Sequence, residues 1–424
     1  MATSLGFGNL KESVIDTDLC CLCGTCGAAC PQGLIRCDGE DGVPSLLSPE
    51  ACLDCGACSE VCPGRDVPYK HLLAQRPSGG DNAPHFGPHL ARLSAASTDA
   101  GIRAQGAAGG FVTALLSSLL ESGEIVGAVV AGSDERQPWR SVGRVARRPE
   151  DLLSSACSRY SLVPVMEAMR DAEGPLALVG LPCHVLAFRK LEQWDPSVSA
   201  RVPMVVGLFC GVNLDPRATV HMLHELGVED RSQVTQYCSR SANYGGVRVQ
   251  LRDGRTLRYP DNDGYAFDVV RLAPLYLRTR CALCFDNVNE LADVSVGDDT
   301  GPERKRSCVV ARTSRALELI ERAEREGRIE RRNLDPEMHR ENVFKKRRRA
   351  WTVLEWMRKR RMPTVEPDFE IDPDAYPWAS EAHRQEMLAL MQLSQTDIGR
   401  RVLQTLPRDS FAREVGLAYV GWRE

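Results

Sequence analysis

Cys20-Cys21-Leu22-Cys23-Gly24-Thr25-Cys26-Gly27-Ala28-Ala29-Cys30-Pro31 sets a spacing that returns at Cys52-Leu53-Asp54-Cys55-Gly56-Ala57-Cys58-Ser59-Glu60-Val61-Cys62-Pro63. In both copies the cysteines are separated by two, two and three residues, and the last is followed by proline. The chain has 424 residues and 17 cysteines. Ten of these lie between Cys20 and Cys62, and seven are scattered from Cys157 to Cys308. A chain whose first residues carry neither a basic start nor an apolar stretch is not expected to be secreted. Cysteines in such a chain point to metal or redox chemistry rather than to disulfides.

The spacing is that of a bacterial two-cluster ferredoxin. Three close cysteines wrap one face of a [4Fe–4S] cube, and the fourth is carried by the turn to the other cube. Cys20, Cys23, Cys26 and Cys62 are therefore assigned to one cluster, and Cys30, Cys52, Cys55 and Cys58 to a second. Gly24 and Gly56 follow the second cysteine of each run, where backbone is expected to pass close to the cube. Zinc knuckles and free thiols are the competing readings, and two matching copies argue against both. Cys21 and Cys37 fall outside the pattern and read as plain small residues. Such a module carries single electrons and implies a second centre for the chemistry.

The rest of the chain is built differently. An apolar fraction of 43% and a charged fraction of 26% describe a folded chain of two or three domains. A net charge of −4 argues against binding nucleic acid by bulk charge. No apolar run is long enough to span a membrane, and a cytoplasmic location is expected. Arg76-Pro77-Ser78-Gly79-Gly80-Asp81-Asn82-Ala83-Pro84 reads as a linker. The expected division is a module over 1–75, a linker over 76–88, a body over 89–335 and an extension over 336–424. Few contacts are expected across the linker, so a chain cut near Pro84 should keep a working body. In the body, strands are expected at 125–131, 176–181 and 202–209 and helices at 109–122, 185–193 and 314–328. Alternating strands and helices indicate an α/β (α+β) body with a parallel or mixed sheet.

Three segments of the body look chemical. Asp99, Arg103, Gly106, Ala107, Gly109, Gly110 and Thr113 lie in a small-residue run that leads into a helix, where backbone N–H groups suit a phosphate. Close helix–strand packing explains the same glycines equally well. Ser158-Arg159-Tyr160 is a polar, basic, aromatic triplet. Cys183 and Cys210 each sit where an apolar strand ends, and Cys281-Ala282-Leu283-Cys284 supplies a chelating pair. Four thiolates suffice for a third [4Fe–4S] cluster or for a zinc.

Taken in order, these segments resemble the family of coenzyme F420 hydrogenase and dehydrogenase beta subunits, over about residues 90 to 350. The matching stretches are Asp99 to Thr113, Ser158-Arg159-Tyr160, Gly180-Leu181-Pro182-Cys183, and Cys281 to Asp286 running into Ala292 to Asp298. The resemblance implies a body that binds FAD and one [4Fe–4S] cluster, with Cys183, Cys210, Cys281 and Cys284 as ligands. It makes the glycine-rich segment and the Ser-Arg-Tyr triplet the FAD pocket. With the module in front, the chain resembles the electron-input subunits of F420H2 dehydrogenases. Expected partners are a hydride carrier (F420 or another) and a redox protein or complex subunits. Ala108 stands where the family often has serine, and Cys157 where a small residue is usual. Family members that do not use F420 share this chassis, so a ferredoxin-fed reductase and a non-catalytic relay are the alternatives. His184 is either a hydrogen-bond donor near a cofactor or a packing residue, and Cys238 and Cys308 match no motif.

Arg340 to Arg361 holds ten Lys or Arg residues with Trp351 and Trp356 between them. It reads as a helix with a solvated basic face suited to an acidic partner, and it leaves room for peripheral membrane association. A proline-rich strap (Pro363, Pro367, Pro373, Pro377) and helices at 381–393 and 397–406 are expected to follow.

Overall fold

A computed structural model describes residues 6–37, 42–76, 80–240, 246–259, 267–303, 305–369, 381–394 and 396–404. Pro373, Pro377 and the end of the last expected helix lie outside these. The body is built on one eight-stranded mixed sheet. In chain order its strands are β1 (Ala91–Ser97), β2 (Gly127–Ser133), β3 (Ser141–Ala146), β4 (Leu176–Gly180), β5 (Met204–Leu208), β6 (Val294–Asp298), β7 (Ser307–Ala311) and β8 (Ile329–Asn333). Their spatial order is β8-β1-β7-β6-β5-β4-β2-β3. Strands β2, β4, β5 and β6 run parallel at the centre, and antiparallel strands flank them on both sides.

The central strands are apolar throughout because both faces are covered. Val205, Leu178 and Val129 enter one core, while their neighbours Val206, Val179 and Val130 enter the other. Helices α3 (Phe111–Glu121) and α5 (Ser314–Arg325) cover the second face. Thr313 caps α5 by accepting from the Ala316 N–H at 3.2 Å. Helix α4 (Pro182–Trp194) covers the first face and has proline in its first turn.

The N-terminal module, with its short helices α1 (Thr25–Ala29) and α2 (Ala57–Glu60), is docked on that same face. Leu10, Val14, Leu22 and Val61 of the module share one apolar core with Leu162, Val163 and Phe188 of the body. The Met166 N–H donates to the Cys23 carbonyl (3.0 Å), and Arg280 donates to the Pro63 carbonyl (3.0 Å). Asp18 accepts from both the N–H and the hydroxyl of Thr279, each at 2.8 Å. The expectation of a sparsely bridged linker therefore fails. Residues 77–79 lie outside the described residues, but Asp81–Ala83 pairs with Gly87–His89 as a hairpin, and Arg76 forms an ion pair with Asp293. Polar residues with Gly and Pro suit a hairpin turn as well as a tether, so composition alone does not separate the two.

Helix α6 (Arg340–Lys359) crosses the sheet end, and two helices, α7 (Glu381–Ser394) and α8 (Asp397–Gln404), follow it. Its basic run is not simply a solvated face: Lys346 and Arg349 are 4% and 2% exposed. The described part of the strap runs along the module, with Pro367 bridging Val67 and Asp368 accepting from the Lys70 and His71 N–H groups. Among the described residues no helix is long and apolar enough to cross a membrane.

Candidate functional site

Each short helix of the module starts beside the glycine that follows a second cysteine, and both glycines are left-handed, with φ of +83° at Gly24 and +81° at Gly56. At Gly24 a Cβ would meet the Pro164 carbonyl oxygen and the Glu167 nitrogen at 2.9 Å. The close approach that fixes this glycine in the fold is thus to the body.

The turns interleave the two repeats. Cys20 and Cys62 feel each other's charge, and Cys26 and Cys23 join them. Cys58 groups with Cys55, Cys30 and Cys52, and these four line a small cavity of about 20 Å³. Burial first, then the neighbouring thiols, pushes Cys58 and Cys62 up to about 12. Backbone N–H groups of Leu22, Leu34 and Gly64 donate to the sulfurs of Cys20, Cys30 and Cys62 at 3.4 Å. Such donors favour the thiolate that a metal requires. Cys37 packs in the same core as Cys26, and Cys308 is wholly buried in the sheet.

The body gathers a third group at the carboxyl ends of β4 and β5. Cys183 opens α4, Cys210 follows β5, and Cys281 and Cys284 flank the turn at the end of a short helix. Cys183 feels the charges of Cys281, Cys210 and Cys284. Burial, then Cys210 and Cys284, raises Cys281 to about 12. Burial pulls Lys346 toward neutrality, but Cys284 and Cys210 outweigh it and hold the ammonium above its ordinary value. Lys346, Arg349 and Arg280 belong to this site, and sequence reasoning missed them; the only available signal was basic residues at helical spacing in α6. Among the described residues no three His, Cys, Asp or Glu side chains are placed to grip one single ion. The three sets are groups of thiols within electrostatic reach of one another, not closed single-ion shells.

A cavity of about 390 Å³ opens beside this third group, toward the carboxyl ends of the parallel strands. In open α/β sheets ligands bind at that end. Gly106, Ala107, Gly110 and Thr113 line one side, Ser158, Arg159 and Tyr160 another, and Cys210, Lys346 and Arg349 a third. Gly110 is the N-cap of α3 with φ +73°, and a Cβ there would meet the Ile102 carbonyl oxygen at 2.9 Å. Residues 110 to 113, the start of the helix, thus face the cavity. Two cations hold the loop: Lys305 donates to the Gly106 carbonyl (2.6 Å), and Arg240 bridges the Ala107 carbonyl (3.1 Å) and Asp298 (2.6 Å). Loop, helix start and cations fit a phosphate-bearing ligand.

Three residues expected in this pocket stand elsewhere. Asp99 caps the helix Ala100–Gln105 through the Ile102 N–H (2.9 Å). Arg103 pairs with Glu303 and Glu330, and it donates to the Lys305 carbonyl. Gly109 lies against Ala95 and Ser307, where a Cβ would come within 2.6 Å of the Ala95 oxygen. Local caps, ion pairs and helix–strand packing account for all three. Arg159 is held by the Ser155 carbonyl (2.7 Å) and the Ser133 hydroxyl (3.2 Å); burial, then Arg144, lowers it to about 10. His184 lines the cavity, with both ring nitrogens engaged by backbone: Nδ1 accepts from the Leu181 N–H (3.1 Å), Nε2 donates to the Val163 carbonyl (3.0 Å), and burial lowers it to about 4. Cys157 and Cys238 form a disulfide that staples the triplet segment to the edge of a three-stranded side sheet.

Comparison with known proteins finds relatives for both the module and the body. Residues 92–170 match the N-terminal model of the coenzyme F420 hydrogenase/dehydrogenase beta subunit, and 174–337 match the model of its carboxyl-terminal part. Residues 12–64 match a 4Fe-4S dicluster domain. The coenzyme F420 hydrogenase subunit beta of Methanosarcina barkeri is 29% identical over 58% of this chain and 83% of its own length. A subunit of the F(420)H(2) dehydrogenase of Methanosarcina mazei is 26% identical over 68% of this chain and 78% of its own. The coenzyme F420-dependent sulfite reductase of Methanocaldococcus jannaschii is 27% identical over 73% of this chain, which spans only 46% of that longer protein. A chain in the solved F420-reducing [NiFe] hydrogenase complex of Methanosarcina barkeri shares the fold, with TM-score 0.56 and 24% identity over 68% of this chain and 100% of that one. The protein therefore belongs to the family of coenzyme F420 hydrogenase/dehydrogenase beta subunits and carries a 4Fe–4S dicluster domain in front of that body.

Proposed function

We propose that this protein is an iron–sulfur flavoprotein oxidoreductase that passes electrons between a hydride carrier, coenzyme F420, and one-electron acceptors. The observation that carries the reading is a single cavity touching both the glycine-rich loop and Cys210 of the third thiol group. A flavin takes up two electrons together and releases them singly, and each iron–sulfur cube carries one. Gly106, Ala107, Gly110 and Thr113 would hold the phosphates of FAD, with Ser158, Arg159 and Tyr160 on the facing wall. Cys183, Cys210, Cys281 and Cys284 would hold one [4Fe–4S] cluster. Cys20, Cys23, Cys26 and Cys62 would hold a second, and Cys30, Cys52, Cys55 and Cys58 a third. Lys305 and Arg240 keep the loop in place, and Val130, Val179 and Val296 give the cavity an apolar wall. Its family relatives are named as subunits, which supports a redox protein or complex subunits as the acceptor.

The described part of the strap, 363–369, lies along the module and residues 370–380 lie outside the described residues, so a non-catalytic relay stands as the second reading. The test is anaerobic rapid mixing of the FAD- and iron-reconstituted protein with reduced F420, NADH and NADPH, following flavin absorbance. Bleaching by reduced F420 alone is expected. Bleaching by reduced ferredoxin but by none of the three carriers would replace this reading with the ferredoxin-fed reductase.

A further inference from the structure

Three cations are buried around the third thiol group. Lys346 donates to the backbone carbonyls of Cys210 (2.5 Å) and Asp286 (2.7 Å). Arg280, 4% exposed, donates to the Pro63 carbonyl across the seam with the module. Arg349 reaches the carbonyls of Gly211 (3.2 Å) and Cys281 (3.4 Å). Among the described residues neither Lys346 nor Arg280 forms an ion pair with Asp or Glu. The nearby Asp286 carboxylate accepts from the Asn289 N–H at 2.7 Å, and its charge acts on Lys346 less strongly than those of Cys284 and Cys210.

The module treats its cations differently. Lys190, beside Cys62, is paired with Asp66, and Arg278, beside Cys20, is paired with Asp215 at 2.7 Å. Those charges are neutralised within the protein. A buried ammonium or guanidinium without such a partner is strongly unfavourable unless something anionic lies next to it. Four thiolates around an iron–sulfur core are anionic, and one added electron makes them more so. A fixed cation stabilises the reduced form more than the oxidised form.

We infer that Lys346 and Arg280 are the built-in counter-charge of the body cluster and hold its reduction potential above that of the module cluster proposed at Cys20, Cys23, Cys26 and Cys62. The inference rests on the ligand assignment proposed above for Cys183, Cys210, Cys281 and Cys284. Both are positioning residues, acting on the cluster through charge. Lys346 and Arg349 also line the cavity, as does Cys210, so the same charge adjoins both the cavity and the thiol group.

The test is potentiometric titration of the full-length, reconstituted protein followed by electron paramagnetic resonance. The variants are Lys346→Met, Lys346→Arg and, as a control, the exposed Arg340→Gln on the same helix. Lys346→Met is expected to disfavour reduction of one cluster at least tenfold, a shift of about 59 mV to more negative potential for one electron. Lys346→Arg should restore most of the shift, and Arg340→Gln should show none. Loss of the body cluster from Lys346→Met but not from Lys346→Arg also supports the charge role, whereas loss from both would overturn it in favour of packing. Three clusters with an unmoved potential in Lys346→Met overturn the inference alone. A wild-type protein that takes up only the two module clusters overturns the ligand assignment, and the inference with it.

Discussion

Cys21 of the module and Cys183 of the body pack side by side in one cluster with Cys23 and Ala187. The cysteine that the repeat pattern leaves unused therefore joins the first thiol group to the third. Cys21→Val nearly keeps the volume and removes the thiol. It is expected to cost less than about 1.5 kcal/mol in thermal unfolding and to leave the iron content unchanged. Loss of about four irons per chain would instead make Cys21 a ligand.

If the three thiol groups are the ligands proposed, reconstituted protein carries about twelve irons per chain and Cys183→Ser carries about eight. Iron and sulfide analysis of both proteins measures this. Zinc bound at Cys281 and Cys284 in place of iron would contradict it.

A chain beginning near Pro84 is expected to fold badly, against the reading of 76–88 as a plain linker. The cut uncovers Leu162, Val163 and Phe188 and leaves Arg280 and Thr279 without their module partners. Lost near-ultraviolet dichroism and binding of an apolar dye are the expected observations. A cooperative melt close to that of the full chain would show the body to be independent.

For the cavity, Ala108 is a cleaner probe than Gly110. Any side chain at Gly110 is strained by φ +73° and strikes the Ile102 carbonyl, so its loss would report on the loop itself. Ala108 lines the cavity without that constraint. Ala108→Asp is expected to abolish FAD binding through bulk and charge while far-ultraviolet dichroism is retained. Stoichiometric FAD in the folded variant would place the pocket elsewhere.

Asp215 is buried between Arg278 and Arg217. Burial alone would raise its pKa, but the two guanidiniums outweigh burial and hold it below the usual carboxylate range. A depressed folded pKa adds stability above the unfolded value of about 3.9, and that stability is lost as pH falls through the folded one. Asp215→Ala is expected to cost about 3 to 5 kcal/mol at pH 7. The gap to wild type should narrow below about pH 4 in thermal melts. A gap unchanged by acid would mean that the loss came from packing.

The sequence showed best those features that depend on short spacing. The two cysteine repeats are local, as are the apolar runs that became β4 and β5, displaced by at most two residues from the expected ends. Strand order was not legible, because β7 inserts between β1 and β6 through pairings that no local pattern encodes. Asp99 and Arg103 were misassigned because a cap and an ion pair use the same residue types as a phosphate loop. Lys346 and Arg349 were misread for the opposite reason. Charge composition does not say which face of a helix turns inward, and α6 turns two of its cations toward thiols far away in sequence.

The docking of the module on α4 and on the 278–281 segment also sets which of its thiols solvent can reach. Pro63, Cys62 and Asp18 are covered by Arg280, Lys190 and Thr279, all made more than a hundred residues later. In the docked chain Cys23 and Cys26 of the first thiol group are buried, whereas Cys55 of the second is exposed. Docking therefore leaves the second group the more accessible of the two to solvent and to small reagents.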